Sequence, residues 1–224
     1  MHIEPGLVSE AKIALSYATA AAAGGMALKL AYDDARGRGL VSLAARGVLA
    51  TAAVFTFFEL MPHYAVGVSE VHLILGSTLF LILGAAPAAL GLALGLLLQG
   101  LAFEPQDIPQ YGMNVTTLLV PLFGLQLLAR RVIAPGTAYV DLKYRQALAL
   151  STAYQGGIVA WVAFWAIYGQ GIGADNLASV TSFGAAYMLV VLIEPLADLL
   201  VLAGAKSLHR LQGSALVEPR LYSA

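Results

Sequence analysis

The chain has 224 residues, of which 59% are hydrophobic and 11% are charged, and its formal net charge is −1. Soluble domains carry about 25% charged residues, so this composition excludes an ordinary soluble domain and predicts a surface that faces lipid. The near-zero charge argues against a nucleic-acid partner, and the lack of cysteine excludes disulfides and thiolate metal sites.

Apolar segments long enough to span a bilayer recur along the chain, since a spanning helix needs about 20 mostly apolar residues. We predict an all-α integral membrane protein, a single membrane domain over residues 1–224 that forms a bundle of seven transmembrane helices. The predicted spans cover approximately residues 9–31, 40–60, 72–84, 87–103, 112–130, 144–168 and 176–205.

Two of these spans have special features. The third is short, so we expect it to begin below the membrane surface, and residues 85–87 are expected to form a tight reversal into the fourth. Glu194 and Pro195 predict a kink in the seventh span. Together with Asp198, Glu194 is expected to be a solvated acid near the inner end of that span.

The positions of the basic residues predict the orientation of the bundle. If the N-terminus is outside, Lys12 is the one basic residue of the 12 on the outer side. Because an excess of Lys and Arg marks the cytoplasmic side, we predict an outer N-terminus and a cytoplasmic C-terminus. The inner residues are Lys29, Arg36, Arg38, Arg46, Arg130, Arg131, Lys143, Arg145, Lys206, Arg210 and Arg220.

Acids and histidines gather on the predicted outer side. The acids are Glu4, Glu10, Glu59, Glu70, Glu104, Asp107 and Asp175, and the histidines are His2, His63 and His72. This distribution indicates capture of a cation. Acids that merely avoid the inner loops explain the acidic part of the pattern equally well.

The first two residues offer three nitrogens in a row, namely the α-amine of Met1, the amide nitrogen of His2 and its ring Nδ1. Nitrogens in a planar arrangement favour Ni(II) or Cu(II). A turn at residues 4–6 lets the segment 1–8 fold back into the bundle. His72, a polar residue at the start of a membrane segment, is a candidate for the fourth nitrogen. An incidental His2, and a His72 bonded to a backbone carbonyl, are the competing interpretations.

Four motifs, in this order and spacing, resemble the CbiM/NikM family, the substrate-capture membrane subunits of energy-coupling-factor cobalt and nickel importers. They are MHI-x-x-G at the start, SEVHLILGSTLFLILG, LLLQGLAF and YGMNV. The resemblance covers roughly residues 1–121, and the layout of seven spans extends it to the whole chain. It implies an N-terminal loop inserted into the bundle and a metal held by Met1, His2 and His72.

The same resemblance implies that Gln99 and Asn114 orient the ligands or close the loop over the metal, and Glu70 is expected to stand behind the ligands with them. The family often has Ser at position 70, and its glycine-rich loop is replaced here by EPQDIPQY, which contains Glu104 and Asp107. These carboxylates either alter the metal preference or merely concentrate cations. We therefore consider Glu104, Asp107 and His63 as candidates for metal entry.

The implied function is import of Co(II) or Ni(II) through the cytoplasmic (inner) membrane of a prokaryote, with cobalt supplying cobalamin synthesis. The ion is the cargo, and no cofactor is expected. Implied partners are a transmembrane coupling subunit, ATPase subunits, a small accessory membrane subunit and the lipid bilayer. The sequence contains no HExxH, phosphate-binding glycine loop or GxSxG, so the chain is expected not to be an enzyme and to rely on a separate ATPase.

A stripe of small residues, Ala14, Ala18 and Ala22, lies along one face of the first span. Such stripes allow close approach of helices. The stripe either packs inside this bundle or contacts the coupling subunit.

Two other functions remain open. The first is an intramembrane zinc metalloenzyme that uses His2, His63, His72 and nearby carboxylates, which would also need a general base and an open coordination position. The second is a non-transporting membrane scaffold, which predicts no metal binding. Extension of the N-terminus by one residue distinguishes the enzyme, because it destroys the chelate but spares a zinc site built from side chains.

Overall fold

The computed structural model describes residues 2–208 and 211–223. Its long elements are the helices α1 Glu10–Arg38, α2 Leu40–Phe55, α3 Gly76–Leu83, α4 Ala85–Ala102, α5 Tyr111–Val132, α6 Tyr144–Gln170, α7 Ala174–Val190 and α8 Glu194–Ser207. A π-helical turn, Thr56–Leu60, continues α2, and 3-10 turns cover Pro105–Gln110, Tyr139–Asp141 and Pro219–Leu221. One antiparallel hairpin, of strands β1 Tyr64–Val66 and β2 Ser69–Val71, precedes α3.

Six helical stretches among the described residues are long and apolar enough to cross a bilayer, which supports a multi-pass membrane protein. They are Glu10–Arg38, Leu40–Leu60, Ala85–Ala102, Pro105–Val132, Tyr144–Gln170 and Ala174–Ser207. In the most apolar part of the Pro105–Val132 stretch, 67% of the residues are buried inside the protein, whereas the corresponding share for Glu10–Arg38 is 17%. The bundle is therefore centred on α5, with α1 at its periphery.

The third predicted span, residues 72–84, is wrong. Helix α3 has 8 residues, so it is about 12 Å long, whereas the hydrocarbon core is about 30 Å thick. The helix begins late because Leu75 has a left-handed backbone with φ 53°, and His72 lies before it in non-helical chain. The chain reverses at Gly84, where φ is 95°, so α4 begins at Ala85 rather than after the predicted reversal.

The seventh predicted span is interrupted at the predicted position, because α7 ends at Val190 and α8 begins at Glu194. The expectation that Glu194 and Asp198 are solvated is wrong, since both residues are fully buried. An interior carboxylate needs hydrogen-bond donors to offset its lost hydration. Both carboxylates therefore depend on donors from other helices.

Those donors come mainly from the start of α3. Glu194 accepts the backbone N–H groups of Ile74 and Leu75 at 3.2 and 3.0 Å. Further donors are Ser151 and Gln155 to Glu194, and Ser77 and Thr78 to Asp198. The amides at a helix start carry partial positive charge, so they suit a carboxylate. These bonds join α8 to α3 inside the bundle.

The alanine stripe of α1 does not pack inside the bundle. Ser16, Ala23 and Ala27 are the buried residues of α1, whereas the residues at positions 14, 18 and 22 are exposed. The interpretation of the stripe as internal packing is therefore wrong for this chain. Its small side chains lie on the outer surface, where another membrane helix has access to them.

The two ends of α1 carry different polar groups. At its C-terminal end, Arg38 pairs with Glu218 at 2.9 Å, and the buried Arg46 of α2 donates to the carbonyl of Leu83 at 2.6 Å. At its N-terminal end, Lys12 donates to the carbonyl of Tyr168 at 2.7 Å. A helix of 29 residues separates these ends by about 44 Å.

Candidate metal site

The N-terminal segment, residues 2–8, is built into the fold, and its residues 2–4 pair with the hairpin as an added strand. Ile3 lies opposite Ser69 in an antiparallel bridge. The amide of Glu4 donates to the carbonyl of Val68 at 3.2 Å, and the amide of Glu70 donates to the carbonyl of His2 at 3.1 Å. The segment therefore extends the hairpin on the side of β2 and brings His2 next to residue 70.

The hairpin that receives this segment has a two-residue turn. Gly67 occupies its first position with φ 62°, as a type II′ turn requires, and glycine adopts that conformation without strain. A Cβ there would also overlap with the carbonyl oxygen of Ser179 in α7. The turn therefore needs glycine both for its own geometry and for its packing against α7.

Burial and side-chain hydrogen bonds hold the segment in place. Ile3 is fully buried, which stabilises the docked segment by about 2 kcal/mol. Its amide donates to Oδ1 of Asn114 at 2.9 Å, and the hydroxyl of Ser69 donates to the carbonyl of His2 at 2.8 Å. Asn114, expected from the sequence to orient ligands or close the loop, thus contacts the N-terminal segment directly.

The far end of the segment packs against α6. The side chain of Gln170 donates to the carbonyl of Leu7 at 2.9 Å. A Cβ on Gly169 would overlap with the carbonyl oxygen of Leu7, whereas a Cβ on Gly156 in the same helix would meet nothing within 4 Å. Glycine at position 169 is therefore a condition for docking of the segment.

The substitution Gly169→Ala is expected to displace the N-terminal segment, because the added methyl group occupies the space of the Leu7 carbonyl. The amides of Ile3 and Glu4 should then exchange hydrogen about tenfold faster or more, since their acceptors move away. Hydrogen-exchange mass spectrometry of the purified protein measures this change. Gly156→Ala is the matched control, and equal protection in both variants would show that the contact at Gly169 is not needed.

Three potential ligands converge where the segment meets β2. Ligand atoms of His2, Glu70 and His72 lie within 4.8 Å of one another. Oε2 of Glu70 is 2.9 Å from Nδ1 of His2 and 2.9 Å from Nε2 of His72. Both histidines are buried, at 4% and 1% exposed. Two imidazoles and a carboxylate in this arrangement can hold a divalent transition metal.

Burial determines the charge state of this cluster. Desolvation lowers the pKa of His2 to about 4 and that of His72 to about 3, because it disfavours the imidazolium form. Desolvation also acts to raise the pKa of Glu70, but hydrogen bonds from the two histidines outweigh it and hold that pKa below its ordinary value. At pH 7 the site therefore contains neutral imidazoles, the form that binds metals, and an ionised carboxylate.

Two of the residues considered for metal entry lie directly against the histidines. Oδ2 of Asp107 is 3.0 Å from Nδ1 of His2, and Asp107 is buried. The ring of His63 stacks on that of His72 with 5.1 Å between centroids and 18° between planes. The third, Glu104, accepts a hydrogen bond from Gln106, so its described contact lies outside the cluster.

Two other predicted site residues have different positions. Gln99 is fully buried, and its amide donates to Glu59 at 3.3 Å, so its described hydrogen bond does not reach either histidine. Met1 lies outside the described residues. The stripe at positions 14, 18 and 22, proposed to contact a coupling subunit, is exposed on α1, away from this cluster.

Two further residues contact the site, and the sequence analysis predicted a role for neither of them. The hydroxyl of Ser69 fixes the carbonyl of His2, and the motif SEVH already contained this residue beside the histidine. The ring of Phe58, with its centroid 5.3 Å from that of His72, covers the site on another side. Phe58 comes from the π-helical turn after α2, and no local pattern in the sequence indicated that contact.

A protein-family model described as the cobalt uptake substrate-specific transmembrane region matches residues 2–210 of the chain. The match includes all three residues of the cluster, His2, Glu70 and His72, and all six apolar stretches. No curated protein and no solved structure matches the chain significantly.

Proposed function

Because the chain belongs to the CbiM family of cobalt uptake substrate-specific transmembrane proteins, we propose that it captures Co(II) or Ni(II) at the outer face of the cytoplasmic membrane of a prokaryote. It acts as the substrate-specific component of an energy-coupling-factor ABC transporter. The observation that carries this proposal is the convergence of Nδ1 of His2 and Nε2 of His72 inside the bundle. Imported cobalt supplies cobalamin synthesis.

In the proposed site, the α-amine of Met1, the amide nitrogen and Nδ1 of His2, and Nε2 of His72 bind the ion. The carbonyl of His2 accepts hydrogen bonds from the amide of Glu70 and the hydroxyl of Ser69. These bonds hold the backbone of residue 2 in one conformation, so little ordering remains to be done when the ion binds. Both imidazoles are neutral at pH 7, so neither must lose a charge to accept the metal.

The donor set also bears on which metals fit. Nitrogen donors in a plane suit Ni(II) and Cu(II) and do not suit Zn(II), which prefers a tetrahedral site. The family is a component of cobalt uptake, which supports transport rather than the intramembrane zinc enzyme. The scaffold alternative predicts no metal binding, and it gives no physical reason for two buried histidines and a carboxylate to lie so close together.

The proposed partners are a coupling membrane subunit, ATPase subunits and a small accessory membrane subunit. The exposed stripe of Ala14, Ala18 and Ala22 on α1 is the proposed contact for the coupling subunit, because small side chains allow another helix to approach closely. The proposed orientation has the N-terminus outside. It is supported by the grouping of Arg38 and Arg46 at the end of the bundle remote from the N-terminal segment.

The decisive test is the metal content of the purified full-length protein with Met1 as its first residue. After loading with Co(II) or Ni(II), the unaltered protein should retain metal, and His72→Ala should lose affinity by about 100-fold, because one of the ligands is removed. His63→Ala is the matched control, since its ring stacks on His72 without being a proposed ligand. Failure of the unaltered protein to bind either ion would refute the proposal.

A further inference from the structure

We propose that Glu70 is itself a ligand of the metal, so that its carboxylate oxygen adds a fifth donor to the nitrogens of the site. This inference rests on the proposed function and deepens it, because it names the coordination class that the site prefers.

The distances in the cluster are those of adjacent ligands around one ion. Ligand nitrogens and oxygens lie about 2.0–2.2 Å from a transition metal, so two donors at a right angle are about 3 Å apart. Oε2 of Glu70 lies 2.9 Å from Nδ1 of His2 and 2.9 Å from Nε2 of His72. These separations match those of adjacent ligands, and the ligand atoms of all three residues lie within 4.8 Å of one another.

In each of the two imidazoles, the ring hydrogen can move from the nitrogen that faces Glu70 to the other ring nitrogen. A carboxylate cannot donate a hydrogen bond, so the ring nitrogens that face Glu70 carry the hydrogens in the arrangement described here. The opposite nitrogens, Nε2 of His2 and Nδ1 of His72, are buried and have no hydrogen-bond partner among the described residues. Because nothing described occupies the far nitrogens, each hydrogen can move there when the ion takes its place beside Glu70.

The backbone explains why residue 70 reaches both histidines. Glu70 lies in β2 and His72 directly follows that strand, and their side chains meet, with Oε2 of Glu70 2.9 Å from Nε2 of His72. The amide of Glu70 is bonded to the carbonyl of His2 at 3.1 Å, which places the added strand beside it. The carboxyl group thus lies between His72, just after its own strand, and His2 on the neighbouring N-terminal segment.

The other carboxylates near the site do not share this position. Asp107 contacts His2 at 3.0 Å and is not part of the three-residue group whose ligand atoms lie close together. Glu104 is bonded to Gln106. Among the acids that the structure describes in these loops, Glu70 is the one that bridges both histidines.

A carboxylate donor changes which ion the site favours. A site of four nitrogens in a plane suits Ni(II) and Cu(II), whereas an added carboxylate oxygen gives a mixed set with a higher coordination number. Cobalt(II) accepts five or six donors of this mixed kind. Glu70 therefore shifts the preference of the site away from planar Ni(II) and towards Co(II).

The test uses the full-length protein with Met1 first, loaded with Co(II) or Ni(II), and compares Glu70→Gln and Glu70→Ser with the unaltered protein. Metal K-edge X-ray absorption gives the number of donors and the signature of planar Ni(II), and competition between the two ions gives their affinity ratio. We expect five donors in the unaltered protein and four, in a plane, in both variants. The Ni(II) to Co(II) affinity ratio should rise by about tenfold in the variants.

Glu10→Gln removes the same charge from an exposed position of α1 and should leave both readouts unchanged. Four planar nitrogens in the unaltered protein would overturn the inference without any need for the variants to fold, and so would an unchanged donor number in Glu70→Ser. In both cases the proposed function stands, because metal is still bound. Absence of metal from the unaltered protein would overturn the function and this inference together.

Discussion

Adding one glycine before Met1 is expected to lower the affinity for Co(II) and Ni(II) by about 100-fold or more, which is about 3 kcal/mol of binding free energy. In the proposed chelate the α-amine stands directly before His2, and the extra residue moves it out of the small ring that it forms with the His2 amide. The side chain of His2 is also buried, so the lengthened segment must disturb its own packing to follow. Competition with a coloured chelator measures the change.

One glycine added after Ala224 is the control, because it lengthens the chain by the same amount at the opposite end of the sequence. Mass spectrometry must confirm that each preparation carries the intended first residue. Unchanged affinity in the N-terminally extended protein would mean that side chains alone hold the ion, as in the zinc-enzyme alternative. The result separates the two models even when both predict loss of metal in His72→Ala.

Glu194→Leu is expected to lower the free energy of unfolding by about 3–5 kcal/mol, because it leaves several buried donors without an acceptor, at about 1–3 kcal/mol each. The substitution removes the acceptor of the Ile74 and Leu75 amides, and those amides lie in the interior at the start of α3. It also loosens the segment that carries His72, so metal affinity should fall with stability. Thermal unfolding in detergent, followed by circular dichroism, gives the first effect.

Glu194→Gln removes the carboxylate but keeps a side-chain oxygen that can accept hydrogen bonds at this position. Its remaining oxygen can still accept the two backbone amides, so we expect a smaller loss of stability than in Glu194→Leu. Glu10→Leu, at an exposed position of α1, controls for the removal of a surface carboxylate. If Glu194→Leu unfolded at the same temperature as Glu10→Leu, the hydrogen bonds at the start of α3 would contribute no net stability.

The sequence predicted the long helices well because composition alone determines them: an apolar stretch of about 20 residues can satisfy its backbone in lipid only as a helix. It could not predict the short α3. That helix begins late because of the left-handed Leu75 and the carboxylate of Glu194, which is remote in sequence. A contact over such a distance leaves no mark on the local hydrophobic pattern.

The hairpin before α3 was missed for a different reason. Gly67 between the valines of AVGVSEV is a local turn signal, with alternating residues on either side. Continuing hydrophobicity after His72 favoured a single helix instead. The added strand at residues 2–4 could not be read locally, because an isolated strand of three residues depends entirely on the edge that it joins.

The candidate site was predictable in its histidines and not in the placement of its carboxylates. Chelate chemistry and the resemblance together selected His2 and His72. If residues 72–84 form one helix, Glu70 lies outside the element that carries His72. The sequence therefore predicts that Glu70 supports the ligands and does not bind the metal itself. In the structure His72 directly follows β2, and its Nε2 lies 2.9 Å from Oε2 of Glu70. The contact of Asp107 with His2 depends on a 3-10 turn whose position the sequence does not specify.

The bond between Glu194 and the amides before α3 limits how parts of this protein can be exchanged with those of relatives. A chimaera that receives residues 64–75 from another member of the family, but keeps its own α8, replaces the chain that donates two N–H groups to Glu194 while the acceptor stays the same. Transplanting residues 64–75 and 194–198 together preserves the pair. For engineering of metal preference, the hairpin and α8 should therefore be exchanged together.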